Sequence, residues 1–173
     1  METGRVAELT AVEPGQRAMT IEALHQHSPV LLAAVRVITL DDDEAADIVQ
    51  ATFEIAIHRA DSLREPAALR AWLLRIATRE AFRSVRRLRR IISLDRAVIE
   101  IAAPTGSRTA AEHLDVRRAL MTLPRRTRAA VSLHHLAGLS VRETAEALGV
   151  SENTIKTQLK SGLTTLREVL RDD

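Results

Sequence analysis

The side chains best equipped for chemistry in this sequence are cations set at helical spacing. Arg75, Arg79, Arg83, Arg86, Arg87 and Arg90 project within an arc of about 120° when each residue advances the chain about 100° around a helix. Leu74, Ala77, Ala81, Phe82, Val85 and Leu88 fall on a separate arc, which is expected to pack on a core. Six like charges on one face repel one another unless a polyanion lies against them, and phosphate contacts of this kind dominate affinity for nucleic acid. The plainer alternative is a solvated basic face, or one neutralised by the acidic segment 41–61. Trp72 and Ile76 lie on the arginine side one turn earlier, where a tryptophan is more often core than a base contact. The loop 60–67 just before them is the natural place for a small base-recognition pocket.

A second constellation lies between Ser140 and Leu159. Ala145, Gly149 and Ile155 occupy the fifth, ninth and fifteenth positions expected of a helix-turn-helix. Ala145 must be small where a second helix crosses above it. Gly149 suits a turn with positive φ, which costs a residue bearing Cβ about 1 kcal/mol or more. Ile155 would lock the second helix onto the first, helped by Leu148, Val150 and Leu159. Ser151 caps that helix, whose exposed face would carry Glu152, Asn153, Lys156, Thr157, Gln158 and Lys160. Asn and Gln can address adenine edges, and Lys phosphate or guanine, from a helix in the major groove. The alternative is a helical hairpin whose glycine merely ends a helix.

Other chemistries are poorly supplied. Cysteine is absent from the 173 residues, which removes disulfides, zinc thiolates and thiol catalysis together. Glu22 and His25 form one Glu-x-x-His, but a di-metal bundle needs that motif twice. His134 and His135 have no acid nearby in sequence, so packing is the expected role. The cluster 41–44 lacks the spacing and glycine of a calcium loop, and neither a phosphate-binding glycine loop nor a nucleophile elbow is present. The expectation is a protein that is not an enzyme and needs no cofactor or metal. Two Phe and one Trp, with no Tyr, leave little for base-stacking platforms.

These groups must be positioned by helices. A chain 46% hydrophobic and 28% charged can fold around a core, and no strand alternation or internal repeat is visible. A frayed tail is expected over 1–18. Thr20 can cap a short helix 21–27, and Ser28 with Pro29 opens a second helix to about Thr39. The run Asp41, Asp42, Asp43, Glu44 begins a third helix, its carboxylates placed where the helix dipole favours them. Its core face would be Ala45, Ile48, Val49, Thr52, Phe53, Ala56, Ile57 and Ala60. Pro66 starts a long helix to about Arg90. From Ile91 to about Thr109 the pattern breaks into a linker. A helix near 111–121 follows, then a break at Leu123-Pro124 and a helix from Arg125 to about Ala137 closed by Gly138. Ser140 and Glu143 have the spacing of a capping box, and a final helix begins at Ser151. The fold class is all-α. The expected organisation is a tail 1–18, a helical domain 19–93, a flexible linker 94–110 and a helix-turn-helix domain 111–173.

Charge divides along the same lines. Residues 1–63 hold 4 basic and 11 acidic side chains, and residues 64–96 hold 10 basic and 3 acidic ones. The net charge is only +2, and the pI of about 9.9 follows because almost nothing titrates between histidine and pH 10. An acidic block followed by an arginine block suggests one basic protein partner and one polyanion. No apolar run approaches a membrane span and no signal peptide is recognisable, so no membrane insertion and a cytoplasmic location are expected.

Taken together, the sequence resembles bacterial RNA polymerase sigma factors of the extracytoplasmic-function (ECF) group. Asp47-Ile48-Val49-Gln50-Ala51-Thr52-Phe53 is similar to the family's core-binding helix, and Pro29 matches a proline of its first helix. Leu69-Arg70-Ala71-Trp72-Leu73-Leu74-Arg75-Ile76-Ala77 is similar to the segment that meets the promoter minus-10 element. Leu123-Pro124 and Gly138-Leu139-Ser140, with Ala145, Leu148, Gly149, Ser151, Thr154, Ile155 and Lys156, resemble the module for the minus-35 element. The resemblance, which covers 20–171, implies a region 2 bundle and a region 4 helix-turn-helix. It implies core polymerase contacts by Asp43, Asp47, Ile48, Gln50 and Glu54 on the largest-subunit clamp coiled coil, with the polymerase flap as a further partner. Minus-10 contacts would come from Trp72, Arg75, Arg79, Arg83, Arg86, Arg87 and Arg90. Minus-35 contacts would come from Arg142, Ser151, Asn153, Thr154, Lys156, Thr157, Gln158 and Lys160. Double- and single-stranded promoter DNA and an anti-sigma factor are the remaining partners it implies, and the polymerase would supply all catalysis.

The sequence departs from the family pattern in places. Ala51 stands where an acid is usual, and Arg79 and Arg83 where Asn and Asp are common. Gln158 and Ser161 replace frequent arginines, which implies fewer phosphate contacts at minus-35 and a shallower salt dependence. His25 and His27 stand in place of aromatics. Two rivals compete. A sigma-mimicking regulator that sequesters an anti-sigma factor needs neither the arginine stripe nor the lysine-bearing helix. A response-regulator output module leaves residues 20–93 unexplained.

Overall fold

Apolar side chains at helical period bring three helices of the N-terminal half together: α1 (Ile21–Thr39), α2 (Asp42–His58) and α3 (Leu69–Leu94). The computed structural model describes residues 21–94 and 118–171, and no strand occurs among the described residues. The expected tail, the Thr20 cap, most of the linker and residues 111–117 of the expected helix lie outside them. Leu24, Leu31, Val35 and Ile38 of α1 meet Ala45, Ile48 and Val49 of α2 and Leu73, Leu74, Ala77 and Ala81 of α3 in one buried cluster.

Three boundaries differ from the sequence reading. Residues 21–39 form one helix with Pro29 inside it, not two helices meeting at Ser28. Proline removes one backbone hydrogen bond. Pro29 and His25, whose carbonyl is freed, are both exposed, so water can satisfy it, and burial of Leu24 and Leu31 on the opposite face carries the helix through. The long helix is preceded by a 3-10 turn at Pro66–Ala68, in which the Ala68 N–H donates to the Glu65 carbonyl at 2.9 Å. That helix then runs to Leu94, past Arg90 and into the segment read as linker. The expected core faces also lose members. Ile57, in the last turn of α2, is 53% and Leu88 48% exposed.

Local capping matches the sequence closely. The Asp41 side chain accepts from the Glu44 N–H at 2.9 Å and caps α2. In the C-terminal half, α4 (Arg125–Val131) continues into a π turn, Ser132–Leu136. There the Ala137 N–H donates to the Ser132 carbonyl at 2.9 Å. Gly138 follows with φ +68. Helices α5 (Val141–Leu148) and α6 (Glu152–Val169) complete the half, built around Leu120, Leu123, Ala130, Val131, Ala145, Ile155 and Leu159. Gly162 of α6 lies against α4. A Cβ there would sit 2.8 Å from Val131 Cγ2 and 2.9 Å from Thr127 Cγ2.

The two halves pack on each other. Ala129, Leu133, Ala137, Leu139 and Ala147 belong to the same buried cluster as the core of α1–α3. Arg128 is only 5% exposed, and its Nε donates to the Val37 carbonyl, in the last turn of α1, at 2.7 Å. Burial, reinforced by neighbouring Arg125, holds its pKa below the usual arginine value. The negative end of the α1 dipole favours a cation at that place. Arg70 of α3 reaches the other way and donates to the Ala137 carbonyl.

Candidate nucleic-acid interface

Helices α5 and α6 form a helix-turn-helix whose every joint has a physical cause. Ser140 and Glu143 make a capping box. The Glu143 N–H donates to Ser140 Oγ at 3.1 Å, while Glu143 Oε2 accepts from the Ser140 N–H at 2.8 Å. These bonds hold the Glu143 carboxyl below the ordinary carboxylate range, the Ser140 hydroxyl contributing most and Arg70 and Arg142 adding to it. Gly149 takes φ +66 and ψ 41 at the turn. Ser151 caps α6 by accepting from the Thr154 N–H at 3.2 Å. Ile155 is fully buried and Ala145 nearly so, which fixes the angle between the helices.

This frame presents Ser151, Asn153, Thr154, Lys156, Thr157 and Lys160 to solvent. Thr157 Oγ1 donates back to the Asn153 carbonyl at 3.0 Å. Gln158 differs from the expectation. It is half-buried and lines a cavity between the halves together with Arg79, Arg83 and Arg86 of α3, and its Oε1 is buried with no hydrogen-bond partner. Arg142 is exposed and pairs with Glu146 at 3.2 Å, one turn along α5.

The arginine stripe stands on α3. Arg79, Arg83, Arg86 and Arg87 are exposed, and Arg83 pairs with Glu80 at 2.7 Å. The side chain of Arg90 lies outside the described residues. Acidic α2 does not neutralise the stripe by any direct ion pair among the described residues. The tie between the two helices is instead a hydrogen bond from Ser84 to Glu44. Arg75 is half-buried and faces Glu146 of α5 at 4.0 Å. Trp72 is 7% exposed and part of the core cluster. One side of it still borders a cavity of about 250 Å³ under the loop at Ser62, Leu63 and Arg64, where a base pocket was expected. Glu143 and Glu146 form the far wall of that cavity, an acidic boundary that no local pattern announced.

On α2, Asp43, Asp47, Gln50 and Glu54 are exposed along one side, and Gln50 Nε2 donates to Glu54 at 3.4 Å. Ile48 is a correction. Its side chain is 5% exposed and belongs to the core, so it holds α2 in place and is not a free docking contact. His25 and Phe53 stack loosely, ring centroids 6.5 Å apart. His134 donates from Nδ1 to the Leu139 carbonyl at 2.6 Å, which closes the turn after the π segment. No group of acids and histidines suited to a metal ion occurs among the described residues, nor is any helix there long and apolar enough to cross a membrane.

The residues that sequence reasoning missed are Arg128, Arg70, Glu143 and Glu146 in their roles between the halves. Arg128 carried one usable signal: it shares a helix face with Val131 and Ser132, both buried.

Comparison with known proteins agrees in both halves. The pattern of Sigma-70 region 2 matches residues 23–91 and that of Sigma-70, region 4 matches residues 113–166. The ECF RNA polymerase sigma factor SigM of Mycobacterium tuberculosis is 33% identical over 167 residues, covering 95% of this chain and 84% of its own. RNA polymerase sigma factor SigV of Bacillus subtilis is 30% identical over 127 residues, 73% of this chain and 76% of its own. Among solved structures, the sigma factor RpoE in complex with the anti-sigma factor NepR, from Bartonella quintana, superposes with a TM-score of 0.79. It is 27% identical, covering 88% of this chain and 96% of that one. CnrH in complex with the cytosolic domain of CnrY has a TM-score of 0.65 at 26% identity, covering 92% and 96%. With two helical halves in the order of regions 2 and 4, and relatives matching along nearly its whole length, the chain belongs to the ECF sigma factors, a family of non-catalytic transcription initiation factors.

Proposed function

We propose that the protein binds core RNA polymerase and directs it to promoters by holding a minus-10 and a minus-35 element at once, without catalysis of its own and in the cytoplasm. The observation that carries this reading is the helix-turn-helix. Its second helix is capped, locked by Ile155 and bare along Asn153, Lys156, Thr157 and Lys160. A helix presented in this way enters a major groove, with side chains near its N-terminus meeting base edges. Asn153 and Gln158 are the candidates for bases. Lys156, Lys160 and Arg142 are suited to phosphates, and Ser151, Thr154 and Thr157 to either.

In the other half, Arg79, Arg83, Arg86, Arg87 and Arg90 track the backbone of the minus-10 DNA, with Arg75 and Trp72 beside the cavity that would receive an extruded base. Extrusion costs a few kcal/mol of stacking, offset by contacts to the flipped base and the single strand. Asp43, Asp47, Gln50 and Glu54 dock on the clamp coiled coil of the largest polymerase subunit. The domains divide as 19–93 and 111–173, with 94–110 threading between them toward the active-site channel. An anti-sigma factor is a further partner, supported by the solved complexes of similar chains.

Run-off transcription tests the reading: purified protein and core RNA polymerase on fragmented genomic DNA, with RNA starts sequenced. Discrete starts that vanish without the protein are expected. Absence of both starts and core binding would overturn it in favour of a decoy for an anti-sigma factor.

A further inference from the structure

Between the two halves lies a cavity of about 250 Å³, close to the lower end of the ~300–1,000 Å³ typical of small-molecule sites. Its walls are unlike those of the rest of the interface. Arg79, Arg83 and Arg86 line it from α3 and Arg126 from α4, with Phe82 and Gln158 also among its walls. No carboxylate is among its lining residues. Arg83 has Glu80 behind it, but Arg79, Arg86 and Arg126 have no ion-pair partner among the described residues. Four guanidinium groups brought round one small space repel one another, and the interface would be more stable with an anion between them. The remaining walls are apolar, from Phe82, Leu148 and Val150.

We propose that this cavity is a binding site for a nucleoside polyphosphate, which holds the two halves together. Phosphate oxygens meet the arginines in bidentate fashion. The base lies against the Phe82 and Leu148 wall. A nucleic-acid backbone fits less well. The space is closed on one side by α3 and on the other by α5 and α6, and it has room for about one nucleotide rather than a duplex. Because Arg79, Arg83 and Arg86 also belong to the arginine stripe, nucleotide and promoter DNA compete for the same guanidinium groups, and core polymerase with a promoter must displace the nucleotide. The site does not depend on the promoter reading, since binding to the full chain alone, without DNA or polymerase, reports on it.

Isothermal titration calorimetry of the full chain with ATP, GTP and inorganic tripolyphosphate, each free of divalent metal, tests the proposal. ATP or GTP is expected to bind at micromolar concentration, and tripolyphosphate about tenfold more weakly for want of a group on the apolar wall. Arg126→Ala should weaken nucleotide binding about tenfold or more. Arg126 lies outside both DNA surfaces, so Arg126→Ala should keep its helical circular dichroism and its binding to core RNA polymerase in nucleotide-free buffer. Arg167→Ala, which removes the same charge from an exposed position on α6, should bind nucleotide as the parent does. The proposal is overturned by binding no tighter than millimolar, by equal affinity for tripolyphosphate, by unchanged binding in Arg126→Ala, or by an equal loss in Arg167→Ala.

Discussion

Lys156 and Lys160 are the only lysines of the chain, and both stand exposed on α6. A lysine is a point charge suited to phosphate, whereas an asparagine amide can distinguish a base edge. Lys156→Ala should therefore weaken binding to minus-35 duplexes of every sequence and flatten the salt dependence by about one unit of log–log slope. Asn153→Ala should leave the slope and relax base preference instead. Fluorescence anisotropy over a salt series with matched and mismatched duplexes separates the two. Glu143 gives a second prediction. Its pKa in the folded chain lies below the unfolded value, so the stability it contributes is present above the unfolded value of about 4.3. It is lost as pH falls through the lower, folded value. Glu143→Ala should cost about 1 kcal/mol at pH 7, with the gap to the parent closing below about pH 4, as followed by urea unfolding. Caps of this kind were legible in the sequence because donor and acceptor are three residues apart, and nothing distant competes for them.

Among elements, α6 depends on α4 at one point of close approach. Gly162→Ala would place a methyl group inside contact distance of Val131 and Thr127. The overpacking cost of about 1–3 kcal/mol should exceed the helix-propensity gain of up to ~1 kcal/mol. Thermal melting should therefore show a net loss, where the same change at an exposed helical glycine would stabilise. Leu73→Ala, at a fully buried position of α3, should cost about 2–5 kcal/mol. The all-α class and the order of the helical segments were legible from hydrophobic period together with caps and breakers, although 21–27 and 29–39 form one helix and the π turn at Ser132–Leu136 has no local signal. At Pro29, long-range burial outvotes a local signal. Proline suits a first turn and so suggests a helix start, yet Leu24 and Leu31 lie buried on either side of it and draw both segments into one helix. Ile57 and Leu88 fit the period and are exposed all the same, since period gives direction but not depth of burial.

At the scale of the molecule, the two DNA-facing surfaces share a border. Gln158 of α6 lines the same cavity as Arg79, Arg83 and Arg86 of α3, so the DNA contacts proposed for Gln158 require the two halves to part. Arg128→Met keeps the volume and removes the bond to the Val37 carbonyl. A hydrogen bond to a charged group is worth about 1.5–3 kcal/mol, so the equilibrium should move toward separated halves by roughly tenfold or more. Small-angle scattering should report a larger radius, and minus-35 duplex affinity should rise. This arrangement was illegible in the sequence because its contacts run between residues such as Val37 and Arg128, far apart in the chain and without complementary charge. Both clasps, from Arg128 to Val37 and from Arg70 to Ala137, end on main-chain oxygens. Any side chain at 37 or 137 leaves the acceptor where it was, so those positions can drift during divergence within the limits of packing. The arginines cannot. A chain that loses one has no opposing substitution to restore the pair, and a genetic screen for second-site suppressors of Arg128 variants should return changes elsewhere in the interface, never at Val37.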